Sequence, residues 1–387
     1  MAVATVRTCR KSFKYRIYPT KAQVKTLESW LELCRELYNA GLEERREAWK
    51  KGVSIGRYTQ QRQLPEIKKI RTEYAEINAQ VLQNAVGRLY VSFLRFFERV
   101  KNGDTPGHPR FKPRDRYNSL TWPQDVGFKL IGTKKIGLSG IGQIKIKLHR
   151  PLEGKLKTCT IKREAGRWYA SFSCAEVPVE TWPVATKEVG IDPGLDSYVT
   201  ISNGVSEVKV ENPRWFRKSE ARLAQAQKEL SRKKRGSERY AKARLRVARI
   251  HEKNVNQRED FQWKLARKTV EENQLIAIED TEVKELSEKS SVGTSKSIHD
   301  AAWSGLSMKL SCKAENAGRI FIKTPAPWSS STCSGCHERL QNKLPLSERT
   351  FACPKCGLKL DRDCNAARNH LRAGQALRDE HREVAPL

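Results

Sequence analysis

The sequence predicts an α+β chain of several domains. Three observations support this: long tracts of helical periodicity near the start, a middle stretch of alternating strands, and a second half in which short acidic-ended strands enclose basic helices and a paired-cysteine insert. At 387 residues with a 38% hydrophobic share, the chain is long enough for more than one buried core.

The first element is a strand over Phe13 to Tyr18. It is followed by Pro19 and Thr20, with Gln23 three residues on, the spacing of a capping box. Leu27, Leu31, Cys34, Tyr38 and Leu42 recur at helical intervals, so Lys21 to about Lys50 reads as an amphipathic helix with a charged outer face. A second helix spans about Ala79 to Val100, where Leu82, Leu89, Phe93, Phe96 and Phe97 are expected mostly in the core. Gly, Pro and basic residues then break the pattern from Lys101 to Arg116. Strands follow at Gly142 to Leu148, Thr158 to Arg163 and Trp168 to Cys174, each alternating apolar with polar residues. Lys145, Lys147 and Lys162 would face solvent there, as an ordinary solvated face or a phosphate-tracking surface.

A new unit begins near Thr186. The run Val189-Gly-Ile-Asp192-Pro-Gly-Leu195 is an apolar strand interrupted by an acid. Ser197 to Ser202 and Val205 to Val210 form a hairpin whose Asn203-Gly204 pair suggests a type I′ turn. Basic helices over about Pro213 to Lys234 and Glu238 to Val270 would pair through Phe216, Leu223, Leu230, Leu245, Ile250, Phe261 and Leu265, leaving Arg232 to Arg235, Lys242, Arg244 and Arg246 on a face suited to phosphates. Leu275 to Asp280 is compact and apolar with an acidic end, as in a buried parallel strand. A Gly- and Ser-rich loop over Ser290 to Ser297, a helix from Ala301 to Ala317 and a strand from Arg319 to Thr324 complete this part.

Next come Cys333-Ser-Gly-Cys336 and Cys353-Pro-Lys-Cys356. Two Cys-x2-Cys pairs at this separation match a tetrahedral structural Zn2+ site, each pair giving two thiolates from a tight turn. Cys9, Cys34, Cys159, Cys174, Cys312 and Cys364 stand singly, as reduced thiols of an intracellular protein do. No stretch approaches the roughly 18 apolar residues of a membrane span, and the expectation is a soluble, cytoplasmic protein without a membrane partner. Charge is the more informative quantity: 74 Lys and Arg against 44 Asp and Glu leave a formal net charge of +30, spread along the whole chain. Such self-repulsion is most simply relieved by a polyanion, and nucleic acid is the expected partner.

The order of strand with Asp192, hairpin, helices, strand with Glu279, helix, strand and a helix with Asp363 reproduces a ribonuclease H-like arrangement of the RuvC type. The residues Tyr15-Arg-Ile-Tyr-Pro-Thr20, Gly107-His-Pro-Arg-Phe-Lys112, Gly190-Ile-Asp192-Pro-Gly194, Ile278-Glu279-Asp280, the paired cysteines and Asp361-Arg-Asp363-Cys-Asn365-Ala-Ala-Arg-Asn369 closely resemble the TnpB family, RNA-guided nucleases of insertion sequences, which is similar to compact type V CRISPR effectors. The resemblance covers almost the full chain, with two departures: Thr281 stands where the family commonly has leucine, and the tail beyond Asn369 is short.

The resemblance implies a split RuvC nuclease domain at 186–330 and 358–387, a zinc-binding insert at 331–357, a wedge-like β-barrel at 1–20 and 105–185, and a helical recognition lobe at 21–104. It makes Asp192, Glu279 and Asp363 the catalytic carboxylates. Such a cluster is consistent with two Mg2+ ions about 4 Å apart. Asp361 is assigned to helix capping. The implied partners are a transposon-derived guide RNA and double-stranded target DNA bearing a short adjacent motif, with sequence choice delegated to base pairing. A monomer is favoured, and Lys233, Arg235 and the His108 to Lys112 loop are candidate nucleic-acid contacts. Two other readings are an RNA-guided repressor that binds without cutting and a strand-transfer transposase.

Overall fold

The computed structural model describes residues 8–179, 182–345 and 347–383. It divides into two compact units, residues 1–178 and 179–387.

The first unit starts with β1 (Thr8–Tyr18), five residues earlier than the apolar pattern suggests. Helix α1 (Lys21–Lys50) has the expected capping box, Thr20 accepting from the Gln23 amide and Gln23 reaching back to the Thr20 amide. The stripe Leu27, Trp30, Leu31, Cys34, Tyr38 and Leu42 is buried. Short helices α2 (Arg57–Arg62) and α3 (Leu64–Ile70) lead to α4 (Ala79–Lys101), capped by Asn78. Strands β2 (Ser119–Trp122), β3 (Phe128–Ile131), β4 (Lys135–Leu138), β5 (Gly142–Lys147), β6 (Lys155–Glu164) and β7 (Arg167–Pro178) join β1 in a nearly closed, barrel-like antiparallel sheet of order β2-β6-β7-β1-β5-β4-β3. Phe13, Tyr15 and Ile17 alternate inward with Trp168, Ala170, Phe172 and Cys174 of the paired strand, and α1 and α4 close the same core.

The aromatic end of α4 departs from expectation. Its fully buried residues end at Leu89 and Phe93 is half-buried against the core; Phe97 is 56% exposed, while Phe93 and Phe96 meet the His108 ring edge-on at 5.7 and 5.2 Å.

The second unit holds a five-stranded mixed sheet of order β10-β9-β8-β11-β12. An antiparallel meander of β8 (Lys187–Pro193), β9 (Ser197–Ser202) and β10 (Glu207–Glu211) is followed by helices α5 (Trp215–Ser231) and α6 (Glu238–Glu272), which pair through Leu223, Ala226 and Ile250. The chain returns as β11 (Asn273–Glu279), parallel to β8. Helices α7 (Val283–Glu288), α8 (Val292–Ala301) and α9 (Trp303–Ala317) precede β12 (Ile320–Thr324), parallel to β11. The insert contributes the β13 (Thr350–Ala352) and β14 (Lys359–Asp361) pair, and α10 (Arg362–Glu383) runs back onto the sheet.

Two local expectations fail here. The β9–β10 connection spans 203–206 with Gly204 alone at positive φ, and Asn203 Oδ1 accepts from the Val205 and Ser206 amides; the asparagine side chain organises the turn, so it is not type I′. The Ser290 to Ser297 stretch is largely α8, because Ser291 caps its start by accepting from the Thr294 amide.

The sheet's two faces differ. Val189, Ile191, Ile276 and Ile278 form a core with Ala266 and Val270 of α6 and Leu306, Leu310 and Ala314 of α9. On the opposite face lie Gly190 and Ala277, small enough for α10 to lie directly on the strands. A Cβ on Gly190 would sit 2.0 Å from the Ala367 carbonyl oxygen, and one on Gly374 only 2.4 Å from Ala277 Cβ.

Candidate catalytic and metal centres

Side chains alternate along a strand, so the residues sharing a face with Gly190 and Ala277 are Asp192 and Glu279. Parallel register pairs Ala277 with Gly190 and Ile278 with Ile191, which brings the next residues, the two acids, side by side at the carboxyl ends of the central strands. Both are largely shielded, with side chains 12% and 17% exposed.

Helix α10 covers them with a residue that the sequence reading did not single out. His370 is 1% exposed; its Nε2 lies 3.7 Å from Asp192 Oδ1 and 3.5 Å from Glu279 Oε2. The ring's orientation follows from a relay: Thr324 Oγ1 donates to the Ile278 carbonyl at 3.1 Å and so accepts from His370 Nδ1 at 2.8 Å. Thr281, the departure noted above, donates its hydroxyl to Glu279 Oε1 at 2.9 Å. The donor atoms of Asp192, Glu279 and His370 all lie within 4.8 Å of one another. A periodicity signal was present, because His370 follows Asp363 by seven residues, two helical turns on the same face.

Electrostatics reflects the crowding. Burial pushes the Asp192 carboxyl up to about 6, with the charges of Glu279 and Asp363 acting in the same direction and His370 against it. Burial disfavours a charged His370, yet Asp192 and Glu279 together outweigh it and raise the imidazole to about 9. The two carboxylates thus favour positive charge at this position, whether on the ring or on a bound cation.

Asp363, in the first turn of α10, is near enough to raise Asp192 but stands apart from the three-residue group. Its Oδ2 accepts from Arg349 Nη2 at 2.7 Å, and the same nitrogen lies 3.2 Å from Asp196. Asp361 caps the helix as expected, accepting from the Asp363 and Cys364 amides at 3.0 and 3.2 Å, while Lys209 holds its other oxygen at 2.7 Å. Beside Glu279 a cleft of about 270 Å³ opens along Ser304, Ser307 and Ser311 of α9 and Lys323 of β12.

The thiolates of Cys333, Cys336, Cys353 and Cys356 likewise lie within 4.8 Å of one another, with Cys333–Cys356 and Cys336–Cys353 sulfurs 3.6 and 3.5 Å apart. Sulfurs at about 2.3 Å from a tetrahedral ion are separated by about 3.8 Å, so the donor set fits zinc. The two turns are built alike. In each, the residue after the second cysteine, His337 or Gly357, has positive φ and donates its amide to the carbonyl of the first cysteine at 3.1 Å. The knuckle is tied to α10 through Asn365, which accepts from the Ser334 amide and donates to the Thr332 carbonyl, and through Asn369, which donates to the Thr332 and Ser329 carbonyls. The motif's asparagines therefore link the four-cysteine knuckle to the helix bearing Asp363 and His370.

Among the candidate nucleic-acid contacts, Lys233 and Arg235 are exposed in the α5–α6 turn. The His108 to Lys112 loop is partly structural. Asn39 brackets Lys112 by accepting from its amide and donating to its carbonyl, which leaves Arg110 exposed. No helix among the described residues is long and apolar enough to cross a membrane.

Three family models match: OrfB_IS605, described as "Probable transposase", over 171–290; the "Cas12f1-like, TNB domain" over 303–370; and a "Helix-turn-helix domain" over 9–53. The last range is a strand followed by one long helix, so that label does not describe its shape. Two solved structures share the fold at low identity: a Cas12f1–sgRNA–target DNA complex (TM-score 0.57, 15% identical, 94% of this chain and 98% of that one) and the mini-RNA-guided endonuclease CRISPR-Cas_phi3 (TM-score 0.52, 10% identical, 95% and 93%). Relatives carrying the name "Putative RNA-guided DNA endonuclease" include one from Streptomyces pristinaespiralis, 35% identical over 95% of this chain and 90% of its own length, and InsQ of Escherichia coli, 28% identical over 95% and 93%. With that identity over nearly its whole length, the chain belongs to the TnpB family of RNA-guided DNA endonucleases, relatives of the compact type V effectors.

Proposed function

We propose that this chain is the RNA-guided DNA endonuclease of an insertion sequence, acting in the cytoplasm as a monomer with a transposon-derived guide RNA. It cuts double-stranded target DNA beside a short adjacent motif by phosphodiester hydrolysis at a RuvC-like site. The observation that carries the reading is the placement of Asp192 and Glu279 side by side on one face of neighbouring parallel strands, beneath α10. Family membership and the +30 charge support the nucleic-acid partners.

Asp192, Glu279 and Asp363 would hold divalent ions, Mg2+ by the chemistry of the carboxylate donors, which when bound activate water and stabilise the departing oxygen. Thr281 orients Glu279, and Arg349 restrains Asp363. The cleft beside Glu279, lined by Trp303, Met308 and Phe321 as well as by Ser304, Ser307 and Ser311, opens next to this carboxylate. The four cysteines hold Zn2+ as a brace on α10. The assigned domains are a wedge at 1–20 and 105–185, a recognition lobe at 21–104, a nuclease domain at 186–330 and 358–387, and a zinc insert at 331–357.

The test is cleavage of a matched target by the purified ribonucleoprotein in Mg2+. Asp192→Ala and Glu279→Gln are expected to retain RNA and DNA binding while lowering cleavage by at least about a thousand-fold. Undiminished cutting by both variants would remove the proposed active site. Guide-dependent binding by the wild type with no product would favour a repressor, and guide-independent joining of transposon ends to target would favour strand transfer.

A further inference from the structure

We propose that His370 Nε2 is a metal ligand which, with Asp192 and Glu279, forms a mixed nitrogen–oxygen site favouring Mn2+ over Mg2+. The proposal rests on the reading of this cluster as a divalent-cation site and assigns a residue and a metal preference to it.

Geometry separates a ligand from a simple counter-ion. A buried imidazolium serving only to neutralise acids would settle on one carboxylate with a charge-assisted hydrogen bond of about 2.8 Å. Nε2 instead lies 3.5 and 3.7 Å from oxygens of two different acids, and it is a buried nitrogen without a hydrogen-bond partner. Neighbouring donors of an octahedral ion at about 2.1 Å are about 3.0 Å apart, so the three groups would close on a shared ion by about half an ångström.

The other side of the ring is equally specific. Metal-bound histidines usually donate their second N–H to a fixed acceptor, which sets the tautomer and the ring plane. Here the Thr324 hydroxyl is that acceptor, and its own proton is committed to the Ile278 carbonyl. Nδ1 therefore keeps its hydrogen, and Nε2, directed between the acids, is the nitrogen that would release its proton to solvent when a metal ion binds. Imidazole binds first-row transition ions better than it binds Mg2+, which prefers oxygen donors and near-ideal octahedral geometry.

The experiment uses the full-length, zinc-loaded protein without RNA and Mn2+ alone as probe. Bound Mn2+ is measured by electron paramagnetic resonance, and coordination of nitrogen by electron spin echo modulation from imidazole ¹⁴N. The wild type is expected to show ¹⁴N coupling. His370→Leu should lose that coupling and bind Mn2+ about ten-fold more weakly, while its affinity for Mg2+, read by competition, changes less than about three-fold. Thr324→Val, nearly isosteric, should fall between the two.

Bound Mn2+ without ¹⁴N coupling in the wild type overturns the proposal independently of how any variant folds. So does unchanged Mn2+ affinity in a folded His370→Leu. If Asp192→Ala abolishes Mn2+ binding while His370→Leu does not, only the histidine assignment fails; if the wild type binds no Mn2+, the cation-site reading fails with it.

Discussion

The two candidate metal sites of the second unit are assembled in opposite ways. The thiolate site takes its donors from two short turns of one insert, each closed by its own backbone hydrogen bonds. The carboxylate–imidazole site draws on two strands and a helix far apart in sequence, and exists only when α10 lies on β8 and β11. The first can form from local chemistry once an ion is present; the second is a product of tertiary packing. Asn365 and Asn369 join them, so the locally built site stabilises the element that completes the remote one.

That asymmetry predicts one-way dependence, and its largest expected effect comes from removing a thiolate. In Cys353→Ser, zinc measured by mass spectrometry should fall from one ion per chain to a small fraction, because a structural ion's binding energy is folding energy of its insert. The melting transition of the second unit should drop by about 10 °C or more, and cleavage should fall as α10 loosens. Asp192→Ala should leave zinc content unaltered. A Cys353→Ser protein without zinc that still cuts at the wild-type rate would break the proposed link between the sites.

The same contrast decides what was legible in the sequence. Cys-x2-Cys spacing announces its own geometry, as do the Thr20–Gln23 capping box and the Leu275 to Glu279 strand, all set by residues within a few positions of one another. Asp192 and Glu279 were legible as acidic ends of apolar strands. His370 was marked only by its seven-residue spacing from Asp363, a weak signal until the helix's docking face is known, and that face is set by Gly190 and Ala277 in distant strands. The α8 helix was hidden for a different reason: its glycine and serines read as a loop until Ser291 is recognised as a cap.

Gly190 offers the next sharpest test, since it acts on packing and on no ligand. An added methyl would meet the Ala367 oxygen and Leu371 amide nitrogen at 2.0 and 2.4 Å, backbone atoms that cannot rotate away, so α10 must lift. Gly190→Ala should cost about 1–3 kcal/mol in chemical denaturation. It should also lower cleavage by about a hundred-fold, as expected when catalytic groups shift by about 1 Å. Zinc content should stay at one ion per chain. Loss of zinc in this variant would show that the dependence runs in both directions.

The smallest expected effect concerns Thr281, which sharpens the comparison from the carboxylate side. Thiolate orientation is fixed by the turns themselves, whereas Glu279 sits at a strand end and needs an external restraint. The Thr281 hydroxyl, 2.9 Å from Oε1, supplies one. Thr281→Val keeps the side-chain shape and removes only that donor, a net loss of about 1 kcal/mol, equivalent to roughly five-fold in rate if the orientation matters only during reaction. DNA binding, zinc content and melting temperature should be unaffected. Single-turnover cleavage equal to wild type would mean that packing beneath α10 already fixes Glu279; a loss as deep as that of Glu279→Gln would mean that the carboxylate's position depends on this one hydroxyl, and that its surroundings contribute far less rigidity than the thiolate turns do.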